Sequence, residues 1–327
     1  MRVALVLGAG GARGYAHLGV LEVLRERGHE VVAIAGTSMG ALVGGLAAAG
    51  QDEEFAAYAR TLTQRGVLRL MDPSISGPGA VRGNKIIEKI EGFLGDTHIE
   101  ELSIPFTAVA ADLTNQREVW FQRGPLMAAI RASIAIPGAL TPVEMGGRFL
   151  VDGGILNPLP VGPILGVDAD LTVAVDLSAA DRGRIGGSPV HEEASVSGDQ
   201  RTWLRRIGFS ATDAEPESAE IPAESAEIPA ESAEVAKGSR RSARSRIPVR
   251  SRRKKPKKPD LRAMDVMLGS FETMQAAISR YHVATNPPDV MVSIPLAAAR
   301  TLEFHRANEL IELGRSKATE ALDHAGH

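Results

Sequence analysis

Cysteine is absent from the 327 residues of the sequence, which excludes disulfide bonds and thiolate metal sites. The absence fits a reducing compartment, and we expect a cytoplasmic protein. The acidic pair Asp168 and Asp170 lacks the spaced oxygen ligands of a calcium loop, so we expect it to serve in a turn or a cap. We therefore expect neither a metal nor an organic cofactor.

Aromatic residues are scarce, at 4% of the chain. None occurs in the tract from Lys237 to Lys258, although 12 of its 22 residues are basic. Proteins that bind single-stranded nucleic acid combine basic side chains with aromatic rings on which the bases stack. Nucleic acid is therefore the weakest of the candidate partners.

Charge is missing from the 21 residues between Val31 and Gln51, a length that could span a bilayer. Five of these residues are glycine, and a β-branched run leads into a glycine-rich turn and then an Ala/Leu run. This order predicts a buried strand, a turn and a buried helix instead of a membrane span. The short apolar run after Met1 ends in glycines, which predicts a first strand instead of a signal peptide.

Apolar runs alternate with amphipathic stretches over the first 178 residues, a pattern typical of a mainly parallel sheet with crossover helices. The predicted strands are Val3–Leu7, Val31–Ala35, Phe106–Ala111, Glu118–Gln122, Phe149–Val151 and Leu171–Leu177. The predicted helices are Tyr15–Arg27, Met39–Ala49, Glu53–Thr63, Asn84–Leu94 and Pro125–Ser133. After residue 261 we expect a helix with Met264, Met267 and Met274 in the core, a strand ending at Pro295, and a final amphipathic helix.

The pattern is interrupted between residues 181 and 260. The segment ESAEIPA occurs at 217–223 and again at 224–230, and proline at every seventh position excludes a continuous helix or a paired strand. We predict three regions: a catalytic core at 1–180, a disordered insertion at 181–260 formed by an acidic heptad repeat and then a basic tract, and a helix-strand-helix at 261–327 that completes the core.

Two roles are open for residues 201–258. In RTWLRRIGF, arginine alternates with Trp203 and other apolar residues. Together with the basic tract, this pattern fits peripheral contact with anionic lipid at the inner face of a membrane. The alternative is a solvated linker.

The segment Gly36-Thr37-Ser38-Met39-Gly40 has the form G-x-S-x-G between a predicted strand and a predicted helix. A serine in such a sharp turn points its hydroxyl away from the sheet, and the two glycines remove collisions with the neighbouring backbone. Ser38 is therefore a candidate nucleophile. A glycine-rich turn with Ser38 as an ordinary helix cap is the alternative.

A second glycine-rich loop follows the first predicted strand, with glycines at 8, 10, 11 and 14. Its amides can converge on an anionic atom, either a phosphate or an oxyanion. The dinucleotide pattern G-x-G-x-x-G fails by one residue in each register, at Arg13 or at Ala9. An oxyanion hole is the better interpretation, and a nucleotide-binding module stays as the alternative.

A serine nucleophile needs a base. We interpret His17 as a polar flank of an amphipathic helix. Asp152, which directly follows a predicted strand and precedes Gly153 and Gly154, is the best candidate. A carboxylate with an ordinary pKa of about 3.9 is a weak base, so this role requires a desolvated site.

The loop GAGGARG, the segment GTSMG and the segment DGG, in this order, resemble the patatin-like phospholipase family, most closely its bacterial, neuropathy-target-esterase-like branch. The resemblance covers residues 1 to about 178 and 261–325. It implies a three-layer α/β/α sandwich with a mainly parallel central sheet.

The resemblance also implies a function: a serine acyl-ester hydrolase of the phospholipase A or lysophospholipase type, acting on a lipid or lysolipid ester through a covalent acyl-enzyme. Ser38 and Asp152 would form a catalytic dyad, and Gly10, Gly11 and Arg13 would lie in the oxyanion loop. The supporting glycines of the motifs would be Gly8, Gly14, Gly36, Gly40, Gly153 and Gly154. A non-catalytic membrane adaptor acting through residues 201–258 is a further alternative.

Overall fold

A computed structural model describes residues 1–71, 79–81, 83–179 and 263–327. The strands in this part are β1 (Arg2–Leu7), β2 (Glu30–Thr37), β3 (Gly79–Val81), β4 (Phe106–Asp112), β5 (Arg117–Phe121), β6 (Gly138–Leu140), β7 (Val143–Met145), β8 (Arg148–Asp152), β9 (Leu171–Ala179) and β10 (Val290–Pro295). The helices are α1 (Ala16–Glu26), α2 (Met39–Ala48), α3 (Asp52–Arg60), α4 (Gln64–Met71), α5 (Asn84–Leu94), α6 (Leu126–Ser133), α7 (Ala263–Thr285) and α8 (Ala307–Ala325).

The central sheet has eight strands. Seven follow the order β10-β9-β1-β2-β4-β8-β7, and β5 also pairs with β4. The five strands from β10 to β4 are parallel, and the pairs made by β5, β7 and β8 are antiparallel. Since β10 pairs with β9, the residues after the insertion extend the sheet formed by those before it.

Helices cover both faces of this sheet, as the alternation of side chains along β1 shows. Val3, Leu5 and Leu7 belong to a large apolar cluster that includes residues of α1, α2, α5 and α8. Ala4 and Val6 point the other way, into a smaller cluster to which α7 contributes. The predicted fold class, an α/β protein with helices on either side of a mainly parallel sheet, is therefore confirmed.

The predicted strands are all present, with ends that differ by at most two residues. The helix predicted at Glu53–Thr63 ends earlier, at Arg60, and α4 and the three-residue strands β3, β6 and β7 were not predicted. Placing Met267 and Met274 in the core was wrong, because their side chains are 38% and 49% exposed.

The charge-free segment from Val31 to Gln51 contains most of β2, the Ser38 turn and α2, as predicted. Among the helices that the structure describes, none is long and apolar enough to cross a bilayer. The predictions for residues 181–260, including disorder and membrane contact, lie outside the described residues.

Candidate active site

Ser38 lies at the turn between β2 and α2, with backbone angles φ 58° and ψ −122°. A positive φ is rare for a residue with a side chain, and such a conformation costs about 1–3 kcal/mol. The Ser38 side chain makes no hydrogen bond that caps α2. The helix-cap alternative is therefore wrong, and the hydroxyl is available for another partner.

Close backbone contacts explain the glycines around this turn. A Cβ atom on Gly36 would lie 2.3 Å from the carbonyl oxygen of Gly40, and one on Gly40 would lie 2.0 Å from that of Leu7. Any side chain at either position would force the turn open. The other supporting glycines also have a neighbouring heavy atom within 3.0 Å of such a Cβ position; they are Gly8, Gly14, Gly153 and Gly154.

The Ser38 hydroxyl donates a hydrogen bond to the Asp152 carboxylate, with an Oγ to Oδ2 distance of 2.5 Å. Asp152 is completely buried, and its second oxygen, Oδ1, accepts a hydrogen bond of 2.8 Å from the amide of Gly154. Both carboxylate oxygens are thus oriented by the protein. The two residues that the sequence singled out as nucleophile and base lie in direct contact.

The sheet register explains this contact. Residues 108 and 109 of β4 pair with both β2 and β5, and residues 110–112 pair with both β5 and β8. Consequently β2 and β8 lie along the same edge of β4, one after the other. Thr37 pairs with Val109 and Asp152 with Ala110, so the two candidate residues lie at the point where the parallel strand β2 and the antiparallel strand β8 both end.

Burial changes the acidity of Asp152. It raises the pKa of the carboxyl to about 7, against the opposing effect of the hydrogen bonds from Ser38 and Gly154. Loss of solvation disfavours the charged form, so the proton affinity of the carboxylate rises. The site therefore has the desolvated carboxylate that a Ser-Asp pair requires.

Ser133 and Ala135, which the sequence analysis did not identify, hold the pair in place. The buried Ser133 hydroxyl accepts a hydrogen bond of 2.9 Å from the Ser38 amide and donates one of 2.6 Å to the Val109 carbonyl. The carbonyl of Ala135 accepts from the Asp152 amide at 3.0 Å. A lone hydroxyl at the end of an otherwise apolar helix face was the signal that could have revealed Ser133.

The glycine loop after β1 lies beside Ser38. Gly11 and Ser38 line the same cavity, and the amide of Ala12 donates to the carbonyl of Thr301 at 2.9 Å. Within the described residues, no backbone carbonyl accepts a hydrogen bond from the amide of Gly10 or Gly11. These two amides are the available donors in the predicted oxyanion loop.

Arg13 lies in this loop, but its side chain has another role. The guanidinium is 2% exposed and donates to the carbonyls of Ala299 (2.8 Å) and Leu296 (3.2 Å) and to Oε1 of Glu272 (3.0 Å). None of these acceptors lines the cavity at Ser38. Through these hydrogen bonds, the Arg13 side chain connects the loop to α7 and to the segment after β10.

The interpretation of His17 as a polar flank was wrong, because its side chain is completely buried. Its Nε2 lies 2.9 Å from the carbonyl oxygen of Gly8, and burial lowers the pKa of the imidazole to about 4. A neutral imidazole with a hydrogen-bond partner is tolerated in a core. His17 therefore contacts the backbone of the glycine loop at Gly8, and it makes no hydrogen bond to Ser38.

An apolar cavity of about 140 Å³ extends from Ser38. It lies between the glycine loop, α2–α5, residues 134–140 after α6, and the segment after β10. Its lining residues are Gly11, Tyr15, Ser38, Met39, Leu42, Phe55, Tyr58, Leu62, Val67, Leu70, Ile86, Lys89, Ile90, Ile134, Ile136, Ala139, Leu140, Leu302 and Phe304. Such a lining suits a hydrocarbon chain, because its burial there removes apolar surface from water.

Several known proteins are similar to this chain. A family model described as patatin-like phospholipase matches residues 5–165. An NTE family protein of Mycobacterium tuberculosis is 49% identical over 98% of this chain and 91% of its own length. An NTE family protein of Mycobacterium bovis is 38% identical over 54% of this chain and 30% of its own.

A lysophospholipase of Emericella nidulans is 33% identical over 68% of this chain but only 14% of its own length. The match to the family model contains all three glycine-rich motifs, including Ser38 and Asp152. The chain therefore belongs to the patatin-like phospholipase family, among the NTE family proteins, and is a lipid ester hydrolase.

Proposed function

We propose that the protein hydrolyses acyl esters of lipids through a Ser38–Asp152 dyad and a covalent acyl-enzyme. The observation that carries this proposal is the 2.5 Å hydrogen bond from Ser38 Oγ to a buried carboxylate, made by a serine on a strained turn. Covalent catalysis by serine needs a base within hydrogen-bond reach of the hydroxyl. Asp152 is the ionisable side chain that contacts it.

In the first half-reaction, Ser38 Oγ forms a bond to the ester carbonyl carbon while its proton passes to Asp152. The carbonyl electrons move to the oxygen, where the amides of Gly10 and Gly11 donate hydrogen bonds to the developing charge. The bond from carbon to the alcohol oxygen then breaks. The alcohol leaves with the proton that Asp152 held, and the acyl group stays on Ser38.

Water completes the reaction by the same route. Asp152 takes a proton from a water molecule, whose oxygen attacks the acyl carbon of the acyl-enzyme. The tetrahedral intermediate again uses the amides of Gly10 and Gly11. The bond to Ser38 breaks, Ser38 recovers its proton from Asp152, and the fatty acid departs. No step requires a metal or a cofactor.

The cavity supports a lipid or lysolipid ester as substrate. Its walls are almost entirely hydrocarbon, and Ser38 lies within its surface. A chain in the cavity would place its ester group at the hydroxyl while its apolar surface is buried, at about 0.8 kcal/mol for each methylene. The lysophospholipase relative is consistent with a substrate that carries a single acyl chain.

Substitution of the two dyad residues tests the proposal. We expect Ser38→Ala and Asp152→Asn each to reduce hydrolysis of a short-chain p-nitrophenyl ester by about a thousandfold or more. Ser38→Ala should also abolish labelling by a fluorophosphonate probe. Ser103→Ala is a matched control, because Ser103 donates to the Ala48 carbonyl outside the cavity. Undiminished labelling of the Ser38→Ala variant would exclude Ser38 as the nucleophile.

A further inference from the structure

The cavity at Ser38 reaches solvent beside α4 and α5. Among the described residues that line it, Lys89 of α5 is the one that is largely exposed. Leu70 of α4 and Ile86 of α5 are partly exposed, as are Tyr58, Leu62, Leu140, Leu302 and Phe304, whereas Ser38 and Gly11 are buried. A molecule that enters the cavity beside Lys89 therefore passes along α4 and α5.

The outer surface of the two helices is basic and carries an exposed leucine. Arg65 and Arg69 of α4 and Lys85 and Lys89 of α5 are exposed, and Leu68 is 58% exposed between the two arginines. In the part of the chain that the structure describes, none of the four basic side chains forms an ion pair. We call these five residues the basic rim.

The acidic residues of the two helices form no ion pair with the rim. No Asp or Glu occurs in α4, and the exposed Glu88 and Glu91 of α5 pair with none of the rim residues. The Nζ atom of Lys89 lies 4.7 Å from the ring centroid of Tyr58 and 5.0 Å from that of Phe93. The ammonium group therefore forms cation–π contacts at the opening, and its charge remains available to bind an anion.

Positive charges around an exposed apolar side chain suit an anionic bilayer. Each basic residue near such a surface contributes on the order of 1 kcal/mol to binding, and the leucine gains by entering the acyl region. The inner residues of α4, Val67 and Leu70, already belong to the cavity wall. One face of α4 therefore lines the cavity, and its other face, with Arg65, Leu68 and Arg69, is exposed.

We infer that the basic rim docks the protein onto an anionic lipid bilayer, with α4 and α5 against the surface and the cavity open toward it. An acyl chain then passes from the bilayer to Ser38 without crossing water. The inference rests on the proposed function for the identity of the substrate. It places bilayer contact at the cavity opening, whereas the sequence pattern suggested residues 201–258.

The absence of native cysteine allows a direct test in the full chain. In one variant, Leu68→Cys is labelled with the environment-sensitive dye NBD. Its NBD emission should increase several-fold, and the emission maximum should shift to shorter wavelength, on phosphatidylcholine vesicles that contain phosphatidylglycerol. Vesicles of phosphatidylcholine alone should have a much smaller effect. The matched control is Leu165→Cys, since Leu165 is 62% exposed and follows Ile164, which packs on the opposite face of the sheet.

The inference would be overturned if the protein sediments with anionic vesicles while the NBD emission at position 68 stays unchanged, because another part of the chain would then make the contact. An equal response at Leu165, or no binding to anionic vesicles, would overturn it as well. A response at Leu68 alone supports it. This readout does not depend on catalysis, so it stays informative even if the proposed reaction fails.

A charge variant links docking to turnover. Arg65→Gln/Arg69→Gln should lower the hydrolysis of lipid in anionic vesicles by about 30-fold, the equivalent of about 2 kcal/mol. It should leave hydrolysis of a water-soluble monomeric ester unchanged. Arg117→Gln/Arg280→Gln removes two exposed charges outside the basic rim and should alter neither rate. An equal loss on both substrates would contradict docking, and a wild type inactive on every ester would contradict the proposed function instead.

Discussion

At the scale of single residues, the site combines two unfavourable features. Ser38 adopts a positive φ, and Asp152 carries a carboxylate in a fully buried position. Each feature destabilises the folded chain, yet each serves the proposed chemistry: the first places Ser38 at the surface of the cavity, and the second raises the basicity of the Asp152 carboxylate. Such a conflict between stability and activity is expected at a catalytic centre.

The raised pKa of Asp152 predicts the pH dependence of the reaction. The base must be ionised, and burial raises its pKa to about 7. We therefore expect kcat/KM for a neutral ester to increase as the pH rises through about 7 and to become constant above it. Initial rates measured between pH 5 and 9 check this, and an inflection near the ordinary carboxyl value of about 4 would contradict it.

The same pKa predicts a stability effect. The folded value of about 7 exceeds the unfolded value of about 3.9, so the folded chain binds this proton more tightly. The contribution of Asp152 to the free energy of unfolding therefore falls as the pH rises from about 4 to 7. Asp152→Asn removes the ionisation and should therefore stabilise the folded chain more at pH 8 than at pH 5, by on the order of 2–3 kcal/mol, which appears as a larger rise in Tm at pH 8.

Calorimetry of wild type and Asp152→Asn at both pH values measures this difference. Asp96→Asn, at an exposed side chain that forms no ion pair with the described residues, is a control for the chemical change alone. A Tm difference that is independent of pH, or one that is larger at pH 5, would show that Asp152 is not a buried acid of raised pKa.

At the scale of secondary structure, the end of α6 holds both members of the pair. Ser133 binds the Ser38 amide, and two residues later the Ala135 carbonyl binds the Asp152 amide. One short segment therefore controls the spacing between β2 and β8 at the point where the strands meet. Its hydrogen bonds connect three elements that are far apart in the sequence.

Ser133→Ala should consequently disturb catalysis more than substrate binding. The change leaves the buried Ser38 amide without its acceptor, at a cost of about 1–3 kcal/mol. We expect kcat to fall by about 10- to 100-fold with KM nearly unchanged, and Ser133→Thr, which keeps the hydroxyl, to recover part of the loss. Steady-state kinetics with Ser103→Ala as control tests this, and a rise in KM at constant kcat would contradict it.

At the scale of the whole molecule, the sheet connects the residues on either side of the insertion. Val290 of β10 pairs with Val173 of β9, and Glu272 of α7 holds Arg13 of the glycine loop. The described residues contain the complete hydrogen-bonded pair, and the cavity residues Tyr15, Leu42 and Ile90 also belong to them. None of these contacts involves residues 181–260.

We therefore expect a chain in which residues 185–259 are replaced by a short Gly/Ser linker to fold and to hydrolyse soluble esters. Its thermal unfolding should be a single transition, and its rate on a monomeric ester should lie within a few-fold of that of the intact protein. Calorimetry and ester hydrolysis measure these properties. Loss of the transition would show that the insertion is needed for folding.

Much of the fold and the site could be predicted from the sequence because the signals are local. The G-x-S-x-G turn, the glycine loop and the Asp-Gly-Gly segment each follow a recognisable strand, so Ser38 and Asp152 could be selected. The weak signals were those of short elements: α4 has eight residues, and β6 and β7 have three each. Ser133 and the cavity were missed for a different reason, since their partners are distant in the chain.

The sequence by itself determined the alternation of strands and helices, the sharp turn at Ser38 and the lack of any thiol chemistry, because these depend on side chains within a few residues of one another. Only the tertiary structure decided that β2 and β8 share one edge of β4, that Asp152 is buried, and that His17 and Arg13 support the glycine loop. The reason is that strand register and desolvation depend on contacts between residues that are distant in the chain, such as Thr37 with Val109 and Ser38 with Asp152.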